Sequence, residues 1–529
     1  MEMTNINNIP KEKFQFAQKS DLGHDSKFDT KPVSYFKGAF RRFAKNPGAV
    51  FGGIVIIFLV LFAIIAPIFT PFVPAYYDQV YGHTPPNNRI ANSLGLDFWD
   101  GYREKEASQN AYLKDLAIQM ETGKEVVKRG EFEITEDKDG GKIYKYRYNP
   151  MYGVGFGKYK TISAAEYEDI QRYQNETGIQ IIYPTVALED RPTMEKNKYD
   201  ANIYYEVQNP AAATIKPKLK NGEIVPNYWT YKEGEMPTLA REYNSKRVAG
   251  DGFVDENGVT NYYVYGRKID SGVEVRLDYY EYYIYQHTQV IKDGIEEPHF
   301  IFGTTATGKD IFACLAYGAR FSFIFAIIVA VSNFIVGVIW GSISGYYGGR
   351  LDLFMERFTD ILGAVPSMIV ITLLKYHMGS SSQVLVLFIS FFATGWIGMA
   401  HLTRMQFYRF KNQEYVLASR TLGATDRRIM FKHIFPNGLG TIVTSCALII
   451  PSMIYSETSL SYLGIINLEA GNITSVGTLI AAGQSSIVAN AGYVALFPCL
   501  FLCLLMLSFN LFGNGLRDAF NPSLRGAED

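Results

Sequence analysis

One segment of this 529-residue chain comes close to a nucleotide-binding motif. Residues 303–310 nearly match G-x-x-x-x-G-K-[ST], in which backbone N–H groups hold phosphates and a lysine reaches the terminal ones. Gly303, Gly308 and Lys309 fit the pattern, but Asp310 stands where a serine or threonine would bind magnesium. Its carboxylate would face the phosphate and repel it. The sequence therefore does not predict a nucleotide site here.

Other residue types that perform chemistry show no catalytic spacing. The seven histidines form no H-E-x-x-H pair, and no serine stands in a G-x-S-x-G turn. The four cysteines are too few for a disulfide scaffold in so long a chain. We therefore expect no catalytic centre, no metal site and no cofactor within this chain.

Two carboxylates stand at unusual places. Glu457 lies within one apolar segment and Asp360 directly before another. An ionisable side chain inside a membrane costs about 2.5–3.5 kcal/mol, so it marks either a pathway or a contact with a partner group. Both residues are candidates for a translocation pathway. For Glu457 we favour the alternative, a carboxylate that hydrogen-bonds a neighbouring helix without touching a substrate.

A basic segment at residues 403–436 has the pattern of two short helices joined by a turn. Gly423 allows a tight turn, and Thr425 or Asp426 can cap the second helix. The residue types alone leave open a simpler interpretation, a basic loop that rests on anionic lipid.

These residues are positioned by six apolar segments, which predict an α-helical polytopic membrane protein. The first, at residues 48–69, carries no charge, and about 20 residues in a helix cross the ~30 Å hydrocarbon core. It is too long and too far from residue 1 for a signal peptide, whose apolar part has about 7–15 residues. The other five segments are residues 321–344, 361–374, 384–402, 442–455 and 491–512. To reach the length of a full span, the third segment must include residues 358–360, and the fifth must continue past Glu457.

Lysine and arginine are unevenly distributed among the loops. They concentrate before the first segment, after the second, fourth and sixth, and are absent from residues 377–383 and 467–490. Because cytoplasmic loops carry the positive excess, both termini and the basic segment are predicted to be cytoplasmic, and residues 71–315 extracytoplasmic. The formal net charge of −1 argues against nucleic-acid binding.

Residues 71–300 are predicted to form a separate extracytoplasmic domain of mixed α/β type. They contain 27 of the 37 tyrosines, and alternation at residues 142–148 and 262–265 indicates strands. The pattern is more helical at residues 104–128 and 164–177. The tyrosines suit either a docking surface or packing between strands.

The basic segment resembles the EAA loop of ABC-importer permeases, whose pattern is E-A-A, three residues, G, nine residues and I-x-L-P. Ser419 stands at the second alanine, Gly423 at the glycine and Phe435 at the leucine before the proline. Leu417 replaces the first glutamate, although Glu414 stands three residues earlier, as in peptide importers.

The wider sequence resembles one branch of that family, the C-type permease of oligopeptide and dipeptide importers (OppC/DppC-like). Its G-T-D-x-x-G-R-D motif is similar to residues 303–310, with Thr305 for the aspartate and Lys309 for the arginine. The resemblance covers roughly residues 32–90 and 298–526, and ordinary members have a short loop where this chain has about 200 additional residues. Further similar motifs stand at residues 317–322, 345–350, 358–366, 456–464 and 509–517.

The resemblance implies a type I ABC importer permease fold with an inserted domain, in a non-catalytic subunit of a bacterial plasma-membrane transporter. The implied partners are a second permease, two cytoplasmic ATPases that bind ATP and magnesium, a substrate-binding lipoprotein and the peptide. The divisions are a tail at 1–47, a first span at 48–70, an insertion at 71–300 and a permease core at 301–529. The residues implied to contact the ATPase are Glu414, Ala418, Ser419, Gly423, Arg427 and Arg428.

The outer domain then either docks the binding protein or covers the entrance. A membrane-anchored receptor, whose outer domain binds a ligand and whose spans signal inward, is the alternative from another class.

Overall fold

The computed structural model describes residues 35–136, 142–183, 271–378, 382–469 and 473–520, with short strands between residues 185 and 269. The first 34 residues of the predicted tail and residues 521–529 lie outside the described part, as do both ends of the predicted strand at 262–265.

The helices fall into a group before residue 300 and a larger group after it. The first group is α1 Tyr35–Lys45, α2 Pro47–Phe69, α3 Arg89–Ser93, α4 Gln109–Thr122, α5 Pro150–Gly153, α6 Ala164–Thr177 and α7 Tyr279–Tyr285. The second group is α8 Ile311–Tyr347, α9 Gly349–Gly363, α10 Ser367–His377, α11 Gln383–Gly395, α12 Ile397–Phe410, α13 Glu414–Thr421, α14 Asp426–Arg428, α15 Phe435–Tyr462, α16 Val476–Val488 and α17 Tyr493–Phe520.

The strands of the described residues all lie between α3 and α7. They are β1 Arg103–Ser108, β2 Val127–Glu136, β3 Lys142–Tyr148, β4 Phe156–Ile162, β5 Ile182–Tyr183, β6 Thr185–Val186, β7 Val207–Asn209, β8 Thr214–Ile215, β9 Trp229–Thr230, β10 Thr238–Leu239, β11 Phe253–Val254, β12 Thr260–Asn261, β13 Tyr263–Val264, β14 Arg267–Ile269 and β15 Gly272–Asp278.

In the described chain, five helical segments are long and apolar enough to cross a membrane. They are α2, α8, α11 with α12, α14 through α15, and α17. The third predicted span is different, because α9 and α10 are bent by 72° at the break between them. Pro366 stands at this break, where it supplies no N–H and disfavours helix at the residue before it. The described total is therefore five spans, or six if the bent pair is one span.

The loop predicted at residues 467–490 contains an additional apolar helix, α16. With 13 residues it is too short to cross a membrane, and it is not among the predicted helices. It begins with a capping box, in which Ser475 and Thr478 bond each other's backbone N–H groups. This helix packs between α15 and α17 and against α8.

Helices α8 and α12 pack closely because small residues recur every fourth position along α8. A Cβ atom on Gly341 would lie 2.2 Å from the carbonyl oxygen of Ala400. One on Gly337 or Gly345 would lie 2.8 Å from the carbonyl oxygen of Trp396 or Arg404. Glycines at this spacing let the two backbones approach, as is common between membrane helices.

The segment between the first two spans is of mixed α/β type. Its antiparallel sheets include β1-β3-β2 and β14-β15-β4, with β5 paired to β15. Helix α6 coincides with the predicted helical segment 164–177. The prediction of helix at 104–128 is wrong at both ends, because Arg103–Ser108 pairs with β3 and β2 begins at Val127. Pairing across strands overrides the helical preference of the local glutamates and lysines.

Several tyrosines of this segment lie in its core. Tyr144 and Tyr146 are almost fully buried, and Tyr112 stacks on Tyr144 with ring centroids 4.9 Å apart. Tyr81 and Tyr283 meet edge to face at 5.4 Å. These rings pack strands and helices together, which is one of the two roles expected from the sequence.

Candidate coupling loop and its anchors

The basic segment forms two helical pieces joined by a turn, as predicted. Helix α13 ends before Gly423, whose φ of +82° is a left-handed conformation that favours glycine. Thr425 occupies the N-cap position of α14, although its side chain accepts no capping hydrogen bond. We call residues 414–428 the coupling loop.

The coupling loop is attached to the membrane helices by an apolar core. One residue of α13, Val416, is fully buried, and so are residues just after α14. They pack with the end of α8 and with α12. The buried members of this core are Tyr346, Phe407, Val416, Ile429, Met430 and Ile434. Because the inner side of the loop is packed to this extent, it is held in a fixed position relative to α8 and α12.

A polar contact fixes the second half of the loop to the end of α8. The hydroxyl of Tyr346 donates to the Asp426 carboxylate at 2.5 Å. Arg420 donates to the same hydroxyl from α13, with Nη2 and the oxygen 3.3 Å apart. Tyr346 thus contacts both helical pieces of the loop, and it is not among the residues predicted for this site.

A second polar cluster lies nearby, where α8, α9 and α12 meet. Asp352 accepts two parallel hydrogen bonds from Arg404, at 2.7 and 2.8 Å, and one from the Tyr408 hydroxyl at 2.5 Å. Ser344 of α8 donates to the same carboxylate. Glu356 also contacts Arg404, at 3.1 Å. None of these residues was predicted from the sequence, although a lone aspartate among apolar residues early in α9 could have indicated a buried partner.

The residues predicted to contact an ATPase lie on the side of the coupling loop that faces away from the membrane helices. Ser419 is half-buried and donates to the carbonyl oxygen of Tyr415 at 2.7 Å. Leu422, which the prediction omitted, is 88% exposed at the turn. An apolar side chain directly before a turn glycine was the available signal. The other predicted residues, Glu414, Ala418, Gly423, Arg427 and Arg428, are all exposed.

Glu457 joins helices in the interior of the bundle. It is 1% exposed, and its carboxylate accepts hydrogen bonds from Ser461 at 3.0 Å and from Ser322 of α8 at 3.2 Å. Hydroxyl donors of this kind satisfy a carboxylate within protein. Asp360 is exposed and lies 3.2 Å from Arg357, one turn earlier in α9.

Residues 303–310 form a turn that closes on the segment after the first span. Gly308 has a φ of +80°, and a Cβ atom there would lie 1.7 Å from the carbonyl oxygen of Asp78. The N–H of Gly308 donates to Thr305 within the turn at 2.9 Å. Gly303 also has a positive φ, of +78°. The glycines therefore serve close backbone packing, which explains a motif similar to a phosphate loop.

The end of this turn starts α8. Asp310 caps the helix by accepting from the N–H of Ala313 at 2.9 Å, and burial raises the pKa of its carboxyl to about 7. Lys309 forms an ion pair with Glu469, which lies between α15 and α16.

Two family models match the chain on either side of the mixed α/β segment. Residues 337–526 match the binding-protein-dependent transport system inner membrane component, and residues 34–86 match the N-terminal TM domain of oligopeptide transport permease C.

Curated relatives agree with these matches. The chain is 44% identical over 224 residues to the oligopeptide transport system permease protein OppC of Bacillus subtilis, covering 42% of this chain and 72% of the relative. It is 38% identical over 224 residues to the dipeptide transport system permease protein DppC of the same organism, covering 42% and 69%. A solved structure of the MetNI methionine ABC transporter is 16% identical with a TM-score of 0.31, covering 39% of this chain and 96% of that chain.

The family models, the curated relatives and the apolar helices confirm the predicted fold class of a helical, multi-pass membrane permease of the type I ABC importer kind. The sheets between the first two spans support the mixed α/β character of the insertion. The relatives are transport permeases, a class of non-catalytic membrane subunits that in general work with a second permease, ATPases and a binding protein. The receptor alternative is not supported. The chain belongs to the family of binding-protein-dependent transport permeases, in the branch that contains OppC and DppC.

Proposed function

We propose that this chain is one of two permease subunits of an ATP-driven peptide importer. It forms half of the pathway, and the ATPase subunits, which bind ATP and magnesium, engage it through the coupling loop. The observation that carries this proposal is the two-sided construction of that loop. The side of the loop that faces the membrane helices is packed against α8 and α12. On the opposite side, Leu422, Arg427 and Arg428 are exposed.

Such a loop can transmit movement because it is held at several points. An element that couples two sites must contact both and move as a unit. On the membrane side, Tyr346 contacts Asp426 and Arg420, and the chain continues from α14 into α15 without leaving the helical path. On the other side, the exposed leucine and arginines suit a partner groove with apolar and acidic groups.

We propose the orientation that the charge distribution predicts. Both termini and the coupling loop are cytoplasmic, and residues 71–315 are outside a bacterial plasma membrane. The exposed Arg427 and Arg428 then lie on the side where an ATPase and ATP are present.

We call the mixed α/β segment between α2 and α8 the outer segment. We propose that it docks the binding protein or covers the entrance to the pathway. At its base, the Trp99 indole donates to the carbonyl oxygen of Ile301, in the turn before α8, at 2.9 Å. Phe98 and Trp99 each lie 6.0 Å from the ring of Phe497 near the start of α17. Deletion of residues 95–295 tests this role: we expect assembly to be retained and uptake to be lost, and retained uptake would exclude it.

The coupling assignment is tested by Gly423→Asp. Any side chain strains the left-handed turn, and an aspartate adds a negative charge to the surface that meets the ATPase. We expect the reconstituted transporter to lose peptide uptake and the stimulation of ATP hydrolysis by substrate. Gly178→Asp is the matched control, because Gly178 ends α6 with a φ of +75° and, like Gly423, has no atom within 4 Å of the position that a Cβ would take. Full transport in the Gly423 variant would show that the loop does not couple.

A further inference from the structure

A cleft lies outside the membrane helices, between the sheet β1-β3-β2 and the turn that joins α16 to α17. Its volume is about 770 Å³, within the range of about 300–1,000 Å³ typical of ligand pockets. Residues 103–106 of β1 form one wall, and residues 487–493 contribute to the other. The cleft therefore lies beside the outer ends of the helices that would form a pathway.

Strand β1 is an edge strand. The sheet order places it beside β3 alone, and alternate residues of an antiparallel strand direct their N–H and C=O groups away from the partner. Within the described residues, no backbone hydrogen bond joins β1 to anything beyond β3 and the helix that follows it. Four consecutive residues of β1 line the cleft, so the cleft follows the strand rather than one of its faces. An extended peptide can add to such an edge through main-chain hydrogen bonds.

The charges along the cleft are complementary to the two ends of a peptide. Lys105 is paired with Asp115 at 2.5 Å, and Arg147 with Asp100 at 2.8 Å. Arg103 lines the same cleft and has no ion pair with a carboxylate among the described residues. A guanidinium without such a partner is suited to bind a terminal carboxylate with two hydrogen bonds.

The opposite charge comes from Glu104 and Glu106 of β1, which line the same cleft, and from Asp97. Asp97 lines the cleft, is exposed, and likewise has no ion pair within the part of the chain that the structure describes. A free peptide carries an ammonium group at one end and a carboxylate at the other, so one cleft with both signs of charge suits it.

Apolar groups complete the lining. Phe98 and Ile487 are both exposed, and the ring of Tyr493 lies on the same cavity. They offer surface to peptide side chains of different shapes, while the strand edge and the charges bind groups that all peptides share. This combination suits a site that accepts many sequences.

We propose that this cleft binds an extended peptide with free termini, added as a strand to β1, with its carboxylate on Arg103. The inference rests on the proposed peptide import and adds a receiving site on the permease itself, outside the membrane helices.

The test measures binding of a tripeptide to the assembled complex in lipid nanodiscs, without the binding protein. The probes are Leu-Phe-Leu, its C-terminal amide, and a version with a methylated central peptide nitrogen, all followed by calorimetry. Arg103→Gln is expected to weaken binding of the free acid about tenfold and to leave the amide unchanged, because only the acid uses the ion pair. Arg103→Lys should restore much of the affinity. Methylation should weaken binding to every variant, because it removes a donor for strand addition.

Arg172→Gln is the matched control. Arg172 lies in the same outer segment on α6, exposed and paired with Asp169 at 2.8 Å, and it does not line the cleft. Equal affinity of the acid for the unmodified and Arg103→Gln complexes would overturn the proposal, and so would an equal loss for acid and amide, or no binding to the unmodified complex. Uptake by the unmodified transporter in proteoliposomes separates the two levels. If the transporter takes up the peptide but the binding affinity does not depend on Arg103, only the proposed cleft site is refuted. If the transporter takes up no peptide, peptide import itself is refuted.

Discussion

The Asp352 cluster provides the sharpest test of how the membrane helices are held together. The perturbation is Asp352→Asn, which keeps the size of the side chain and removes its charge. The buried aspartate accepts from Arg404 twice, from Tyr408 and from Ser344, so it connects α8, α9 and α12. An asparagine can accept at one atom only and places an N–H₂ group against the remaining donors.

The magnitude follows from burial and from the contact that remains. Removing one partner of a buried ion pair costs about 3–5 kcal/mol, because the other charge is left without compensation. Arg404 is 27% exposed and keeps Glu356 at 3.1 Å, so its charge is partly compensated after the substitution. We therefore expect Asp352→Asn to lower the free energy of unfolding by about 2–3 kcal/mol.

Asp360→Asn is the matched control, because it makes the same chemical change in the same helix. Asp360 and Arg357 are 46% and 72% exposed, and an exposed pair of this kind contributes about 0.5 kcal/mol or less. The assay is thermal unfolding of the purified complex, with the folded fraction measured by size exclusion after heating. The Asp352 variant should unfold several degrees lower than the Asp360 variant. Equal unfolding temperatures would refute the reasoning.

Three further substitutions test other contacts. Gly341→Leu should prevent assembly, because its Cβ atom would lie 2.2 Å from the carbonyl oxygen of Ala400. Gly398→Leu should be tolerated, because no atom lies within 4 Å of the position that its Cβ would take. Similar yields of both variants on size exclusion would contradict this. Burial raises the pKa of Asp310 from 3.8 to about 7, so its protonated form favours folding and this stability is lost as the pH rises through 7. The variant Asp310→Asn should therefore flatten the decline in unfolding temperature between pH 5.5 and 8. An unchanged decline would show that Asp310 does not cause it. Glu457→Gln should leave uptake of charged peptides unchanged if the carboxylate only joins helices, and a selective loss of lysine-containing peptides would instead indicate a pathway role.

The parts of the structure that the sequence predicts are those recorded in local patterns. An unbroken apolar run is enough to place α2, and the small residues around Gly423 are enough to place the turn of the coupling loop. Glu457 is an intermediate case. A carboxylate in an apolar segment must have a partner, but only the fold shows that Ser322, 135 positions away, supplies one.

The parts that the sequence does not predict depend on geometry between distant elements. The apolar content of residues 361–374 predicts a span, but it does not determine that α9 and α10 meet at 72°. A proline inside a membrane helix is tolerated when neighbouring groups satisfy the freed backbone, so Pro366 alone cannot distinguish a kink from a break. The pairing of Asp352 with Arg404 joins residues 52 positions apart and has no periodic signal.

We propose that movement of the coupling loop enters the membrane helices at the end of α8. Tyr346 contacts the loop there, and Ser344, two residues earlier, donates to Asp352 at the start of the bent pair. The backbones of α8 and α12 are in contact at Gly341, so we expect these two helices to move together, whereas α9 meets them through the polar cluster. Asp352→Asn should therefore do more than lower stability: in complexes kept well below their unfolding temperature, ATP hydrolysis should lose its dependence on peptide while the ATPases remain bound. Peptide-stimulated hydrolysis equal to that of the unmodified complex would show that the loop acts on α15 instead.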